Sequence, residues 1–130
     1  MPDLEGFLPT PMIVLLAFER WSDILNSPAP DSSLLITNAV WHAARGVAFA
    51  NTGKTAEAEK EQQAFRNLAA RIPPETMYDQ LNKTEAVFKV HENVLAAAIA
   101  RSRKDDKAAI DSLNRAVAAE DALHYSEPPA

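Results

Sequence analysis

Apolar residues recur in this chain at intervals of three and four, and prolines and glycines cut that rhythm into segments. Pro9 and Pro11 open the first segment, because proline suits the first turn of a helix, where a missing amide is harmless. Apolar residues continue through Leu16 toward Trp21 and Leu25, and this helix must end before Pro28. Ser27 to Pro30 reads as a rigid connector, after which Asp31 or Ser32 is placed to cap a second helix running to about Thr52. Gly53 stops that helix by supplying the positive φ of a C-terminal cap. A third helix carries Ala56, Ala58, Ala64, Phe65, Leu68 and Ile72 on one face and Glu57, Glu59, Lys60 and Glu61 on the other, and ends at Pro73 and Pro74. The stretch Glu75 to Lys83 has room for one short turn around Met77 and Leu81. A fourth helix follows from about Thr84 to Arg103, then a turn at Lys104 and Asp105. The fifth helix has an apolar stripe of Ala109, Leu113, Ala116 and Val117. The tail from His124 to Ala130 contains two prolines and cannot continue it. The predicted class is all-α, with about five main helices.

Composition narrows this to a single domain over residues 1–130, since that length is usual for one domain and 47% apolar content suffices for a shared core. There is no cysteine, so no disulfide forms, which suits a reducing compartment. The net charge is -5 with both signs interspersed, and no basic stripe tracks a phosphate backbone; nucleic acid is not an expected partner. Met12 to Phe18 is apolar, but Asp3 and Glu5 precede it where a secretory signal carries positive charge, and Glu19 and Arg20 end it. It makes neither a signal peptide nor a membrane span, and the expected compartment is the cytoplasm.

Few residue groups suggest chemistry. Asn51-Thr-Gly-Lys-Thr55 ends like a phosphate-binding loop, but Ala48 stands where its first glycine belongs and a helix precedes it where a strand should; an inter-helix turn explains it. His42, His91 and His124 each lack a second histidine or cysteine three or four residues away, so no local metal site is offered and no cofactor is expected. Glu120, Asp121, His124, Tyr125 and Glu127 form the best acid–base neighbourhood, although capping and chain-exit contacts account for them at a helix end beside two prolines. Trp21 and Trp41 lie in apolar helical patterns and are assigned to packing. The charges Glu57 to Glu61 and Arg101 to Lys107 are read as solvated faces with local pairs.

Two stretches share small and aromatic residues at common offsets. Gly46, Phe49, Gly53 and Ala58 take the same relative positions as Ala97, Ala100, Lys104 and Ala109, followed by Leu113 and Ala116. This spacing resembles the tetratricopeptide repeat, a helix pair whose small residues permit close approach. Ile24 lies one 34-residue period before Ala58, which implies a degenerate first unit; Ala109 lies 51 residues after Ala58, so 17 are inserted between the later two. The units are then about 9–27, 32–72 and 84–123, with an irregular connector at 73–83 and a tail at 124–130. The phrases Phe18-Glu-Arg-Trp-Ser-Asp-Ile-Leu25, Trp41-His-Ala-Ala-Arg-Gly-Val-Ala48 and Ala119-Glu-Asp-Ala-Leu-His-Tyr-Ser-Glu-Pro-Pro129 also resemble a bacterial family of large tetratricopeptide proteins of unassigned function. The resemblance implies helix pairs stacked in a right-handed superhelix, and a piece of a longer one. Departures are Glu19 and Lys104 where turn glycines are usual, and Gln62 where an apolar residue is usual.

In such repeats the first helix of each pair lines a concave groove. Carried over by position, its lining is Val40, Ala43, Val47, Ala50 and Asn51 from one unit and His91, Val94, Ala98, Arg101 and Ser102 from the other. The implied function is a non-enzymatic scaffold that presents this largely apolar surface to a peptide, a protein or a second copy of the chain. Helix five has an apolar stripe and no evident polar cap after it, which makes a homodimer an expectation. The alternative is an enzyme or small-ligand module using His91, Arg101 and the His124 to Glu127 tail, which requires those side chains to converge on one cavity.

Overall fold

The computed structural model describes residues 20–73, 75–78 and 82–123. Within them the fold is all-α, with α1 (Trp21–Asn26), α2 (Leu35–Asn51), α3 (Thr55–Arg71), α4 (Thr84–Ser102) and α5 (Asp106–Asp121), and no strand. Short turns fold α3 back on α2 and α5 back on α4. The two pairs join chiefly where α2 meets α4, with a smaller contact between α3 and α4, and α1 lies against α2. No described helix is long and apolar enough to cross a membrane. The predicted first helix before Arg20 and the tail after Leu123 lie outside the described residues.

The two pairs are closed by the same turn. After α2, the amide of Lys54 donates to the Phe49 carbonyl at 2.8 Å and that of Gly53 to Ala50 at 3.3 Å. After α4, Asp105 donates to Ala100 and Lys104 to Arg101, both at 2.9 Å. Each is a Schellman cap, which satisfies helix-end carbonyls by turning one residue left-handed. That residue is Gly53 at φ 83° in one pair and Lys104 at φ 61° in the other. Only at Lys104 does a side chain occupy the left-handed conformation, which the Asp105 carboxylate follows by accepting from Ala108 and capping α5.

One local expectation changes. Asp31 does not cap α2, because its carboxylate accepts from the amide and hydroxyl of Ser33 at 2.9 and 2.8 Å. This turn delays the helix to Leu35, and Asn38 ties the turn down by donating to the Asp31 carbonyl. The connector after α3, where the sequence has room for one short turn around Met77 and Leu81, is tied by backbone pairing on either side of that stretch. Its described residues form an isolated antiparallel bridge between Met77 and Lys83, with Tyr78 donating to Asn82 at 2.8 Å and Thr84 to Thr76 at 2.7 Å. Leu81 lies outside the described residues.

The core sits where α2, α3 and α4 meet. Ile36, Ala39, Val40 and Ala43 of α2 pack with Phe65, Ile72 and Phe88, whose two phenyl rings stand 5.2 Å apart. A second cluster joins Val47 and Ala50 to Ala58, Leu95 and Ile99, and a third seats Ile24 of α1 on Ala44 and Ala48. Gly46 marks a close crossing of α2 and α4. A Cβ there would lie 2.6 Å from Leu95 Cδ1, so only hydrogen lets α4 come this near. The predicted stripe of α5 divides: Ala109 and Ala116 are buried, together with Ser112, whereas Leu113 and Val117 face outward with Ile110. Small side chains allow closer helix approach than leucine does, so the alanine and serine face turns in.

Candidate functional site

The ten groove residues inferred by position do not form one open surface. Val40 and Ala43 are enclosed in the cluster around Phe65 and Phe88. Val47 and Ala50 are enclosed with Leu95 and Ile99, and Val94 and Ala98 pack against that same cluster along with Trp21 of α1. The structure therefore does bring Val47, Ala50, Val94 and Ala98 together, but as a seam between α2 and α4. Ser102 is engaged with Thr55 of α3, hydroxyl to hydroxyl at 2.8 Å. Asn51 and Arg101 are exposed, with Asn51 donating to its own helix at the Val47 carbonyl. His91 lies edge-on to Phe88 at 6.3 Å between ring centres. Although His91 keeps some accessible surface, protein atoms crowd its ring from nearly every side, and this burial holds the imidazole down to about 4.

His42, Arg45 and Glu61 form a second polar group, between α2 and α3. His42 Nδ1 is 2.5 Å from one Glu61 carboxylate oxygen, and Arg45 Nε donates to the other at 3.3 Å. Arg45 also donates to the Leu25 carbonyl at 2.9 Å and lies over the rings of Trp41 and Phe49. Trp41 completes the tie by donating from Nε1 to Ser27 at 3.0 Å. One guanidinium thus joins α1, α2 and α3 at once, and Glu61, with a side chain 15% exposed, is no part of a solvated face. Glu59 is likewise drawn away, to Arg103 after α4. Helical spacing cannot reveal such pairs, because each partner comes from a different helix. Among the described residues no three His, Cys, Asp or Glu side chains are grouped to hold a metal ion.

A concavity lies elsewhere, between the C-terminal half of α3, the first half of α4 and the C-terminal half of α5. It is a cleft of about 910 Å³. Phe65, Ile72 and Phe88 contribute large apolar groups, while Ala69 and Ala70 of α3, Ala86 of α4, Ala118 and Ala119 of α5 and Ala122 at its C-cap supply small ones. Its polar residues are mostly engaged: Lys83 with Glu75 at 2.7 Å, Glu92 with Arg66 at 2.8 Å, and Arg115 with Asn93 at 3.2 Å. The hold of Glu75 raises the Lys83 ammonium above its ordinary value. Glu85 and Lys89 stand outside those pairs. Thr84, 2% exposed, carries a buried hydroxyl without a hydrogen-bond partner.

None of the ten groove residues lines this cleft. A sequence signal for it did exist, in the paired alanines Ala69-Ala70 and Ala118-Ala119 near two helix ends. It becomes meaningful only once α3 and α5 are both seen to pack on α4. His91 and Arg101, the core of the alternative enzymatic reading, are ten residues apart on α4, a rise of about 15 Å. The tail they would need lies outside the described residues. No family model matches the chain, and no curated protein or solved structure matches it.

Proposed function

We propose that this chain is a non-enzymatic scaffold that binds a peptide or protein segment, and that the segment docks in the cleft between α3, α4 and α5. The cleft itself is the observation that supports this reading: a volume of about 910 Å³, walled by alanines and floored by aromatic and aliphatic side chains. Such a lining favours an apolar backbone-close ligand, because alanine walls let a helix or strand approach without displacing large side chains. Glu85 and Lys89, one charge of each sign on α4, give the ligand a direction. The tetratricopeptide-like stacking belongs to the same proposal. It is supported by two helix pairs closed by identical turns and by first helices that pack on one another.

The test uses exposed positions, so that folding is not at issue. Ala86 and Ala118 both line the cleft and are both exposed. Peptides selected from a displayed library on the native chain are measured by titration calorimetry against the Ala86→Arg/Ala118→Arg variant. A loss of at least about tenfold in affinity is expected, since two guanidinium groups would fill the walls of a site bound by apolar contact. Binding that is indifferent to both substitutions refutes the cleft as the docking site. Val47→Arg is not a substitute test, because Val47 is 8% exposed and its replacement would put an unpaired charge into the α2–α4 seam.

A further inference from the structure

Among the described residues, one buried side-chain oxygen lacks a hydrogen-bond partner, the Oγ1 of Thr84. The other buried polar side chains are engaged: Ser112 accepts from Arg115 at 3.1 Å, and Thr37 and Asn82 have partners of their own. An orphaned hydroxyl destabilises the chain that carries it, because it has left water and found no bond in exchange. Thr84 is the first residue of α4, a helix of 19 residues, and it lines the cleft beside Lys83, Glu85 and Ala86. Lys83, at the N-cap, makes no side-chain cap. Amides around it are taken: Thr84 donates to Thr76 at 2.7 Å, and Ala86 and Val87 donate to the Lys83 carbonyl at 3.1 and 3.2 Å. The hydroxyl of Thr84 is a donor left over at the positive end of the helix dipole, where an acceptor is favoured.

The charges of the cleft decide which acceptor fits. Lys83 is paired with Glu75 and Glu92 with Arg66, while Glu85 and Lys89 are of opposite sign. Arg115 is held by Asn93 and Ser112, and Asn93 stands nine residues beyond Thr84 on α4, a rise of about 14 Å. An anion at Thr84 would have to break the Lys83 pair to find a cation, whereas a neutral carbonyl leaves every pair intact. Within a helix the main-chain carbonyls already accept along the helix, so a ligand with a carbonyl to offer is one in extended conformation.

We propose that the segment bound in the cleft is an extended peptide, and that Thr84 donates its hydroxyl to one of that peptide's main-chain carbonyls. This rests on the cleft being the docking site. The hydroxyl is closed to solvent in the free chain and turns about χ1 to meet the ligand, since threonine in a helix divides between two χ1 wells and the backbone need not move. Alternate side chains of the peptide then face the Phe65 and Phe88 floor, and the alanine walls let its backbone come close. Thr84 thereby selects for the peptide main chain, and the floor selects for apolar side chains.

The experiment titrates the peptides selected on the native chain into native, Thr84→Val, Thr84→Ser and Ala86→Arg/Ala118→Arg chains by calorimetry, and compares the unliganded chains by urea denaturation. Thr84→Val keeps the shape of the side chain and removes its hydroxyl. It is expected to raise the urea midpoint of the unliganded chain, since an orphaned donor is gone, and to weaken the peptide about tenfold, since a carbonyl loses its donor. Thr84→Ser is expected to bind within about threefold of the native chain. The circular dichroism of the complex is expected to show no gain of helix over its separate components. Affinity that the two arginines abolish but Thr84→Val leaves unchanged overturns this inference and leaves the cleft reading standing. Affinity indifferent to every variant overturns both. A peptide that becomes helical on binding overturns the inference, as does a lowered urea midpoint for Thr84→Val, because the hydroxyl then has a partner in the free chain. Where Thr84→Val misfolds, Thr84→Ala repeats the affinity test without a β-branched side chain to fit.

Discussion

Replacing Gly46 by alanine sets two effects of known size against each other. In a helix interior the change favours folding by about 1 kcal/mol, because glycine loses more backbone freedom than alanine. At this crossing, however, the new methyl carbon would lie 2.6 Å from Leu95 Cδ1 and 3.3 Å from Cδ2, against an ordinary carbon contact of about 3.5–4.0 Å. Leu95 is fully buried and packed with Val47, Ala50, Ala58 and Ile99, so it has no open space to move into. Overpacking of this kind costs about 1–3 kcal/mol. The net expectation for Gly46→Ala is a loss of about 1 kcal/mol. Leu95→Ala alone should cost about 3 kcal/mol through the cavity it leaves. In the double variant the clash is gone and the alanine methyl occupies part of the vacated space, so the total should be about 2 kcal/mol instead of the additive 4. Urea denaturation followed by far-ultraviolet circular dichroism measures all four corners of this cycle, provided the m-values agree. Additivity within about 0.5 kcal/mol, or a Gly46→Ala variant more stable than the native chain, would refute the claim that hydrogen at position 46 sets the approach of α2 and α4.

The two matched turns predict opposite responses to glycine chemistry. Lys104→Gly should stabilise by about 1 kcal/mol, because it relieves a side chain held at positive φ, whereas Gly53→Ala should destabilise by a similar amount; both are read from urea midpoints. Burial of His91 predicts an acid-sensitive fold. Its imidazole titrates near 4 when folded and near 6.5 when unfolded, so the unfolded chain binds more protons between those values. Stability contributed by the neutral ring is therefore complete above about pH 6.5 and is lost as the pH falls toward 4, by at most about 3 kcal/mol. The difference in stability between native and His91→Gln chains, measured from pH 7.5 down to about 4.5, should shrink with acid; a difference that stays constant would show that burial does not suppress this proton.

The helices themselves were legible because their signals are local. Proline at 28 and 73, glycine at 53 and the three-four spacing of apolar residues act within a turn or two of chain, and the described boundaries follow them closely. The start of α2 escaped this reading for a reason equally local: Asp31 had a nearer hydrogen-bond donor in Ser33 than in the helix. The likeness of Lys104 to Gly53 was visible as a shared offset, and the backbone gives both positions the same left-handed turn.

What the sequence by itself determined is thus the set of amphipathic helices, their punctuation and the offset that relates one pair to the other. Which side of each helix would be covered was decided by tertiary packing. Hydrophobicity marks a side chain as worth burying, but the depth of burial depends on how closely two backbones can approach. On α5 that rule turned Ala109, Ser112 and Ala116 inward and left Ile110, Leu113 and Val117 outside. Along α2 it enclosed Val40, Ala43, Val47 and Ala50 among phenylalanine, leucine and isoleucine from two other helices. The tie of Arg45 and His42 to Glu61 and of Arg45 to the end of α1, and the cleft among three helices, are likewise products of assembly, since their members come from different helices and meet only when those helices pack.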